Sequence, residues 1–441
     1  MSMAIVAAPI LVRQAIREHQ AGQFDAACDL YERALEIDPA DPDALNLLGA
    51  LHLQQGNLTG AIPYSARAVL SEPRSASAYN NLGLLMKLAD QAAGAARCYY
   101  QATLVNTNFA EAHCNLGVVL KAEGQTALAI SHYRRATELD PTLGEAFNNL
   151  GNGLQELGEL EEAVESYLIA AKYMVGSDTV HYNVGLLLDR LGRKEEALVH
   201  LREALRIEPK RDGARHLIAA LEGETTDTAP DDYVRSLFDD YAHRFEAHLV
   251  GELRYSTHKE IAGLIQSIVS EGRRFARAFD LGCGTGLIGV LMAEHIDDLV
   301  GVDLSEKMLA QAAAKGIYDR LVPGDIDGFL DAETEDADLV VASDVFVYLG
   351  RLDETVRRII GRMTEGGLLA FSVESAADPV RWFLRPSGRY AHGDAYVRGL
   401  LADGGLRLLA ARNSVLRHER GEPLDGRVYL AVKPAAHGNT Q

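Results

Sequence analysis

Phe279-Asp280-Leu281-Gly282-Cys283-Gly284-Thr285-Gly286 is the stretch that decides how the second half of this 441-residue chain folds. An apolar run ends in an acid, three glycines alternate with small residues, and a new apolar run begins at Leu287. That order reads as strand, glycine turn and helix, and the missing Cβ atoms let the main chain come close to a bound molecule. Outward from the turn, short apolar runs alternate with helix-like segments. Strands are expected near 277–281, 298–303, 318–322, 337–343 and 368–373, with two more near 406–415 and 427–432 on either side of the turn-rich stretch 419–426. Such alternation builds a Rossmann-like α/β domain, a mostly parallel seven-stranded sheet with helices on both faces and an antiparallel hairpin at its end.

Two cofactors suit a loop of this kind. Gly284, Gly286 and Gly289 satisfy the G-x-G-x-x-G spacing of dinucleotide enzymes, with Asp303 about 20 residues on where a ribose-binding acid belongs. The glycines alone leave both open, and Asp280 discriminates. An acid at the strand end crowds an anionic pyrophosphate but suits a cationic amine. S-adenosylmethionine carries such an amine beside a sulfonium and has no phosphates. Val300-Gly301-Val302-Asp303-Leu304-Ser305 then offers an acid for ribose hydroxyls, Met308 a surface for adenine, and Gly324-Asp325-Ile326 an acid for the adenine amino group. With Gly366-Gly367 turning into the fifth strand, this ordered set over residues 231–433 resembles the class I S-adenosylmethionine-dependent methyltransferases. The resemblance implies cofactor contacts from Asp280, Gly282, Cys283, Gly284, Gly286, Asp303, Leu304, Met308, Asp325 and Ile326.

The first half is ruled by a 34-residue period, with frames beginning at 8, 42, 76, 110, 144 and 178. Unit position 8 holds Ala15, Gly49, Gly83, Gly117, Gly151 and Gly185, and positions 20 and 27 are alanine in all six units. Helices cross closely only where a side chain is this small, and a bulky neighbour must fill the adjoining groove. Tyr31, Tyr99, Tyr133, Tyr167 and Leu201 at position 24 are that filler, and Ser65 departs from it. Pro39, Pro73, Pro141 and Pro209 stop the second helix of their units, while Thr107 and Val175 break the pattern. The period and these residues resemble the tetratricopeptide repeat, an all-α solenoid expected over 8–221.

Position 6 holds Asn81, Asn115, Asn149 and Asn183 in four consecutive units. An amide offers donor and acceptor together, so a row of them can grip the main chain of an extended peptide. The row looks like the asparagine ladder of O-linked N-acetylglucosamine transferases. Arg13 and Leu47 interrupt it in the first two units. The polar stretch 222–230 reads as a linker, 231–433 as the second domain and 434–441 as a tail. Tyr233, Leu237, Tyr241, Phe245 and Leu249 recur every four residues, a helical aromatic face that is core packing or a lid. The whole chain is similar to bacterial methyltransferases that carry tetratricopeptide repeats. In that family the segments 237–245 and 389–392 flank the core.

The charge balance is 43 basic against 63 acidic residues, a net of −20, shared evenly as −10 on either side of residue 225. Neither half is built for nucleic acid or an anionic membrane surface. Four cysteines without paired spacing suggest neither a disulfide framework nor a zinc site, and a reducing, cytoplasmic setting is expected. No apolar stretch approaches the roughly 20 residues of a membrane span.

Methyl transfer needs chiefly alignment, and a general base only when the acceptor arrives protonated. Candidates near the carboxyl ends of the strands are Asp344 and Tyr348 after the fourth and Arg385, Tyr390, His392 and Tyr396 after the fifth, with Asp344, Tyr348 and His392 the expected catalytic residues. The segment Ala342-Ser343-Asp344-Val345-Phe346-Val347-Tyr348 lacks the N/D-P-P-Y/F loop that resembles amino-group methylation of adenine or glutamine. Oxygen, amine or activated carbon remain as acceptors. The expected function is a methyltransferase whose repeats recruit a protein partner, itself the acceptor. The alternative is a small-molecule methyltransferase whose repeats serve only as an assembly scaffold.

Overall fold

The computed structural model describes residues 2–242, 245–246, 249, 251, 253–269, 273–419 and 422–435. The chain divides into two compact units, Met1–Ile207 and Glu208–Gln441.

The first unit consists of paired helices of 13 or 14 residues after an opening helix Ser2–Gln20, which pairs with Phe24–Ile37. The steric reading of the repeat holds atom by atom. A Cβ on Gly83, Gly117 or Gly151 would lie 2.6–2.7 Å from the ring of Tyr99, Tyr133 or Tyr167, and one on Gly185 would lie 2.6 Å from Leu201. Ser65 is small because it faces Gly49 from a fully buried position. All twelve alanines of positions 20 and 27 have no solvent exposure. Position 15 ends each first helix in the left-handed region, with Gly22, Gly56, Gly124, Gly158 and Gly192 at φ of 75–83° and Asp90 at 57°. Helices stop two residues before Thr107 and Val175, at Val105 and Tyr173, just as they do before the prolines. Helix packing therefore sets the stop, and proline only reinforces it.

The second unit holds a nine-stranded sheet: β1 Ala278–Leu281, β2 Leu299–Asp303, β3 Arg320–Pro323, β4 Ala337–Ala342, β5 Met363–Ala376, β6 Trp382–Leu384, β7 Tyr390–Gly393, β8 Arg407–Glu419 and β9 Glu422–Val432. Strands β3-β2-β1-β4-β5 run parallel, then β9 and β8 add antiparallel. These seven are the expected sheet. The stretch 419–426, expected as turn, is mostly strand, because β8 and β9 stay paired out to Glu419 and Glu422.

The two further strands, β6 and β7, are short and were expected as loop. Glu374 of β5 pairs with Gly426 of β9 on one edge and with Ala391 of β7 on the other. That second edge belongs to β4 as far as Phe371, so β7 takes over the column where β4 ends. One face of the sheet buries Ala278, Leu339, Val341, Leu368 and Ala370 beneath the helix Thr257–Ile268. The other buries Phe279, Val340, Leu369, Phe371 and Val373.

Residues 222–230 are not a free linker. The amide of Gly350 donates to Asp227 O at 2.9 Å and that of Ala229 to Tyr348 O at 3.0 Å, while Trp382 Nε1 donates to Thr226 O at 3.3 Å. The preceding helix Asp212–Glu222 belongs to the same unit: buried His216 donates from Nε2 to Gly388 O at 2.9 Å. A polar stretch looks solvated in sequence, yet here its backbone groups are met by the β4–β7 corner.

Candidate functional site

In the parallel sheet the strand order reverses between β1 and β4, and ligands of open α/β sheets bind beyond the carboxyl ends of the strands at such a point. The glycine turn lies there. Gly282, Gly284 and Gly286 all have positive φ (67, 54 and 87°), and a Cβ on Gly284 would meet only Phe245, at 3.9 Å. Asp303, at the end of β2, accepts from the amides of Gly284 at 2.8 Å and Ser305 at 2.9 Å. Asp280 is 3% exposed and accepts from the Tyr318 hydroxyl at 2.6 Å. Burial pushes Asp280 up to about 7; the Tyr318 bond opposes this and nearby Asp303 adds to it. Burial raises Asp303 too.

Tyr318 explains the third glycine. A Cβ on Gly289 would lie 2.5 Å from its hydroxyl, and one on Gly301 2.8 Å from its ring. The G-x-G-x-x-G spacing thus makes room for a phenol that grips Asp280. Leu304 is half-buried at the end of β2 and Met308 fully buried in the following helix, whose N-terminus Ser305 caps. Asp325 accepts from the Gly328 amide at 2.7 Å as cap of the helix Ile326–Ala332. Cys283 is buried, its thiol raised well above the ordinary range by desolvation.

The aromatic face ahead of the core lies across this crevice. Ser305 Oγ donates to Asp239 at 2.6 Å, Gln311 Nε2 donates to Ala242 O at 2.6 Å, and Thr285 Oγ1 donates to Glu246 at 2.6 Å. Lys315 pairs with Glu246. Phe245 packs edge-on to Phe238, and Phe238 edge-on to Tyr348 beyond β4. Of the segment 237–245, His243 and Arg244 and the side chains of Asp240 and Tyr241 fall outside the described residues.

The three candidate bases are otherwise engaged. His392 lies in β7 rather than a surface loop, 1% exposed, with Nε2 on Gly350 O at 2.9 Å and burial driving its pKa down to about 4. Asp344, in the left-handed region at φ 59°, receives both contacts of Arg417 Nη1 at 2.9 Å. Tyr348 bonds to Arg389, and burial raises its phenol.

Of the cluster behind these three residues the sequence reading named only Arg385 as a candidate and missed Glu374, Arg389 and Arg417. Arg417 is 2% exposed and bridges Asp344 to Glu374, which has no exposure at all. Arg385 Nε lies 2.9 Å and Arg389 Nη1 3.9 Å from Glu374. Buried Tyr255 meets Ser343 Oγ at 2.7 Å and stacks on His258, whose pKa burial lowers to about 4. Asp280, Ser343, Ser372 and Glu374 continue the alternation of Ala278, Val341 and Ala370 and so share the sheet face beneath helix Thr257–Ile268. An acid inside the apolar run of β5 was the one signal available.

In the repeats, the asparagine row is also partly spoken for. Asn81 Nδ2 donates to Asn46 Oδ1 and Asn115 Nδ2 to Asn80 Oδ1, each at 2.9 Å, and Asn149 Nδ2 reaches Cys114 Sγ at 3.6 Å. Position 6 of one unit clasps position 5 of the unit before. Asn183 occupies the same position, and the Oδ1 of Asn148 is buried without a partner. The amide donors expected to grip a peptide hold neighbouring repeats together.

Residues 279–369 match the methyltransferase domain family, and residues 17–56, 110–143 and 179–211 match tetratricopeptide repeat families. The chain joins tetratricopeptide repeats to a methyltransferase domain. The domain is similar to malonyl-(acyl-carrier protein) O-methyltransferase of Enterobacter lignolyticus (strain SCF1), 33% identical over 24% of this chain and 41% of that protein. It is also similar to the ubiquinone biosynthesis O-methyltransferase of Bordetella avium (strain 197N), 28% identical over 28% of this chain and 50% of that protein. The chain thus spans about half the length of the curated relatives it matches. Among solved structures, magnesium protoporphyrin IX methyltransferase from Synechocystis PCC 6803, with bound S-adenosylhomocysteine, is 17% identical at a TM-score of 0.37, covering 46% of this chain and all of that one.

The methyltransferase domain fits S-adenosylmethionine. A buried carboxylate beside a half-buried one, each raised by desolvation, favours a ligand that brings positive charge, and the open face of Gly284 admits one. Among the described residues no group of three metal-binding side chains occurs, and no helix is long and apolar enough to cross a membrane.

Proposed function

We propose that this protein is an S-adenosylmethionine-dependent O-methyltransferase whose repeats recruit a protein partner that presents the acceptor. The pairing of Asp280 and Asp303 around the glycine turn carries the cofactor reading, since two neighbouring desolvated acids repel a pyrophosphate and attract an ammonium and a sulfonium. Asp303 would hold the ribose, Asp280 the amine, Met308 the adenine face, and Asp325 and Ile326 the adenine edge; Gly282, Cys283, Gly284, Gly286 and Leu304 would form the walls. S-adenosylmethionine supplies an activated methyl group. The protein's own task is to hold acceptor and methyl in line and exclude water, and held geometry of this kind can supply about 7–11 kcal/mol of barrier lowering. Phe238, Phe245 and Glu246 cover the crevice and suit that second task. Both of these relatives are O-methyltransferases, which favours an oxygen acceptor.

For the partner, the Oδ1 atoms of Asn81, Asn115 and Asn149 would accept from main-chain N–H groups of an extended segment, their donors being used between repeats. A partner of neutral or basic character suits the acidic chain. The test supplies labelled S-adenosylmethionine to lysate of cells lacking this protein, with the full chain or with residues 208–441. Label in a protein band that vanishes without the repeats is the expected result. Label confined to small organic extracts would replace this reading with the scaffold alternative.

A further inference from the structure

Where β4 stops, at Ala342 opposite Phe371, the chain of β7 takes its column, pairing Ala391 with Glu374. That register brings the start of β7, and Arg389 just before it, to the level of Ser372, directly beyond the carboxyl end of β4. Arg385 and Arg389 flank the turn between β6 and β7, joined by an Arg385 N–H bond to Arg389 O at 2.7 Å. Their side chains are 27% and 24% exposed, while the carboxylate they share, Glu374, is wholly buried behind them. Arg385 Nε faces Glu374 at 2.9 Å without hydrogen-bond alignment, so charge alone holds that contact. Arg417 and Asp344 complete a scaffold that fixes Glu374 and, through it, both guanidinium groups. Arg385 Nη2 also donates to Ser375 O at 2.9 Å, and two partly exposed, planar guanidinium groups rooted on a buried acid suit a carboxylate ligand.

Among the described residues of this corner, His392 Nε2, Asp344 and Tyr348 are engaged with Gly350, Arg417 and Arg389 respectively. An alcohol, phenol or amine would have to lose a proton there, whereas a carboxylate arrives already ionised. We propose that the acceptor is a carboxylate, bound through Arg385 and Arg389 and converted to its methyl ester. This rests on the methyltransferase reading above. A carboxylate oxygen lone pair forms the new O–C bond as the C–S bond breaks, and the departing electron pair stays on sulfur. Anion and sulfonium become neutral ester and thioether, and no proton moves.

Carboxylates occur on small acids and on proteins, and one experiment separates both from other acceptors. The full chain is incubated with methyl-tritiated S-adenosylmethionine and lysate of cells lacking it. Acid-precipitable and small-molecule fractions are then treated with mild alkali, which hydrolyses methyl esters to volatile methanol. Volatile label from the precipitate identifies a protein carboxylate, and volatile label from the extract a small acid; both support the proposal. Label that survives alkali overturns it while leaving the methyltransferase reading intact. Failure of the purified chain to bind S-adenosylmethionine in calorimetry would instead overturn that reading. Arg389→Ala and Arg385→Ala should each lower ester formation about 30-fold or more, the scale of unpairing a charged hydrogen bond, with Arg389→Lys recovering part of it. Unchanged cofactor affinity shows the variants are folded. Undiminished ester formation in both alanine variants would remove the guanidinium groups from the proposal.

Discussion

Asp280 and Tyr318 set the electrostatics of the crevice together. A raised carboxyl is ionised only above its pKa, so a cationic ligand gains the full attraction above about pH 7 and loses it as pH falls through that value. Cofactor affinity measured by calorimetry should therefore weaken below neutrality in the native protein. Asp280→Asn should bind more weakly and without that pH dependence. Tyr318→Phe removes the bond that opposes the rise, so its affinity should begin to fall at a higher pH than the native protein's. His392 makes a contrasting case. Its bond to Gly350 and its depressed pKa make it a structural residue, and His392→Asn should cost about 1–3 kcal/mol of stability in denaturant unfolding while the pH profile of kcat keeps its shape. Retention of stability with loss of the neutral limb of that profile would restore it as a base. Asp280 and Asp303 were legible because strand, turn and acid lie within a few residues of each other. Tyr318, Glu374 and Arg417 were not, since their partners come from distant strands and only the sheet brings them together.

Single elements show how much packing adds to pattern. The repeat helices were readable from small and bulky residues alone, and their cost can be tested: Gly117→Ala drives a Cβ into the Tyr133 ring and should destabilise the repeats by about 1–3 kcal/mol, seen in thermal melting. By contrast β6 and β7 are three and four residues long and carry no periodicity that could announce them. Their place was decided by the free edge of β5 beyond β4. The segment before the core was read as lid or core, and its described residues Asp239, Ala242 and Glu246 accept from Ser305, Gln311 and Thr285. Glu246→Ala frees Thr285 and Lys315 together. Faster cofactor dissociation in stopped-flow, with global stability nearly unchanged, is the expected consequence.

For the molecule as a whole, the division at Ile207 has a practical meaning. A fragment of residues 208–441 keeps the helix Asp212–Glu222 and the contacts of Thr225 to Ala229, and should melt near the second transition of the full chain. Starting after residue 225 removes His216 from Gly388 and Thr225 from Leu384, and such a fragment should melt several degrees lower. The even spread of the −20 charge was legible from the first, and among the described residues no helix is long and apolar enough to cross a membrane. The central claim is that the crevice over Asp280 and Asp303 holds S-adenosylmethionine, and calorimetric titration of the full chain addresses it most directly. Saturable binding at a single site, weakened tenfold or more by Asp303→Ala, about 1.4 kcal/mol, is the expected result. Absence of binding, or binding indifferent to both Asp280→Ala and Asp303→Ala, would contradict it.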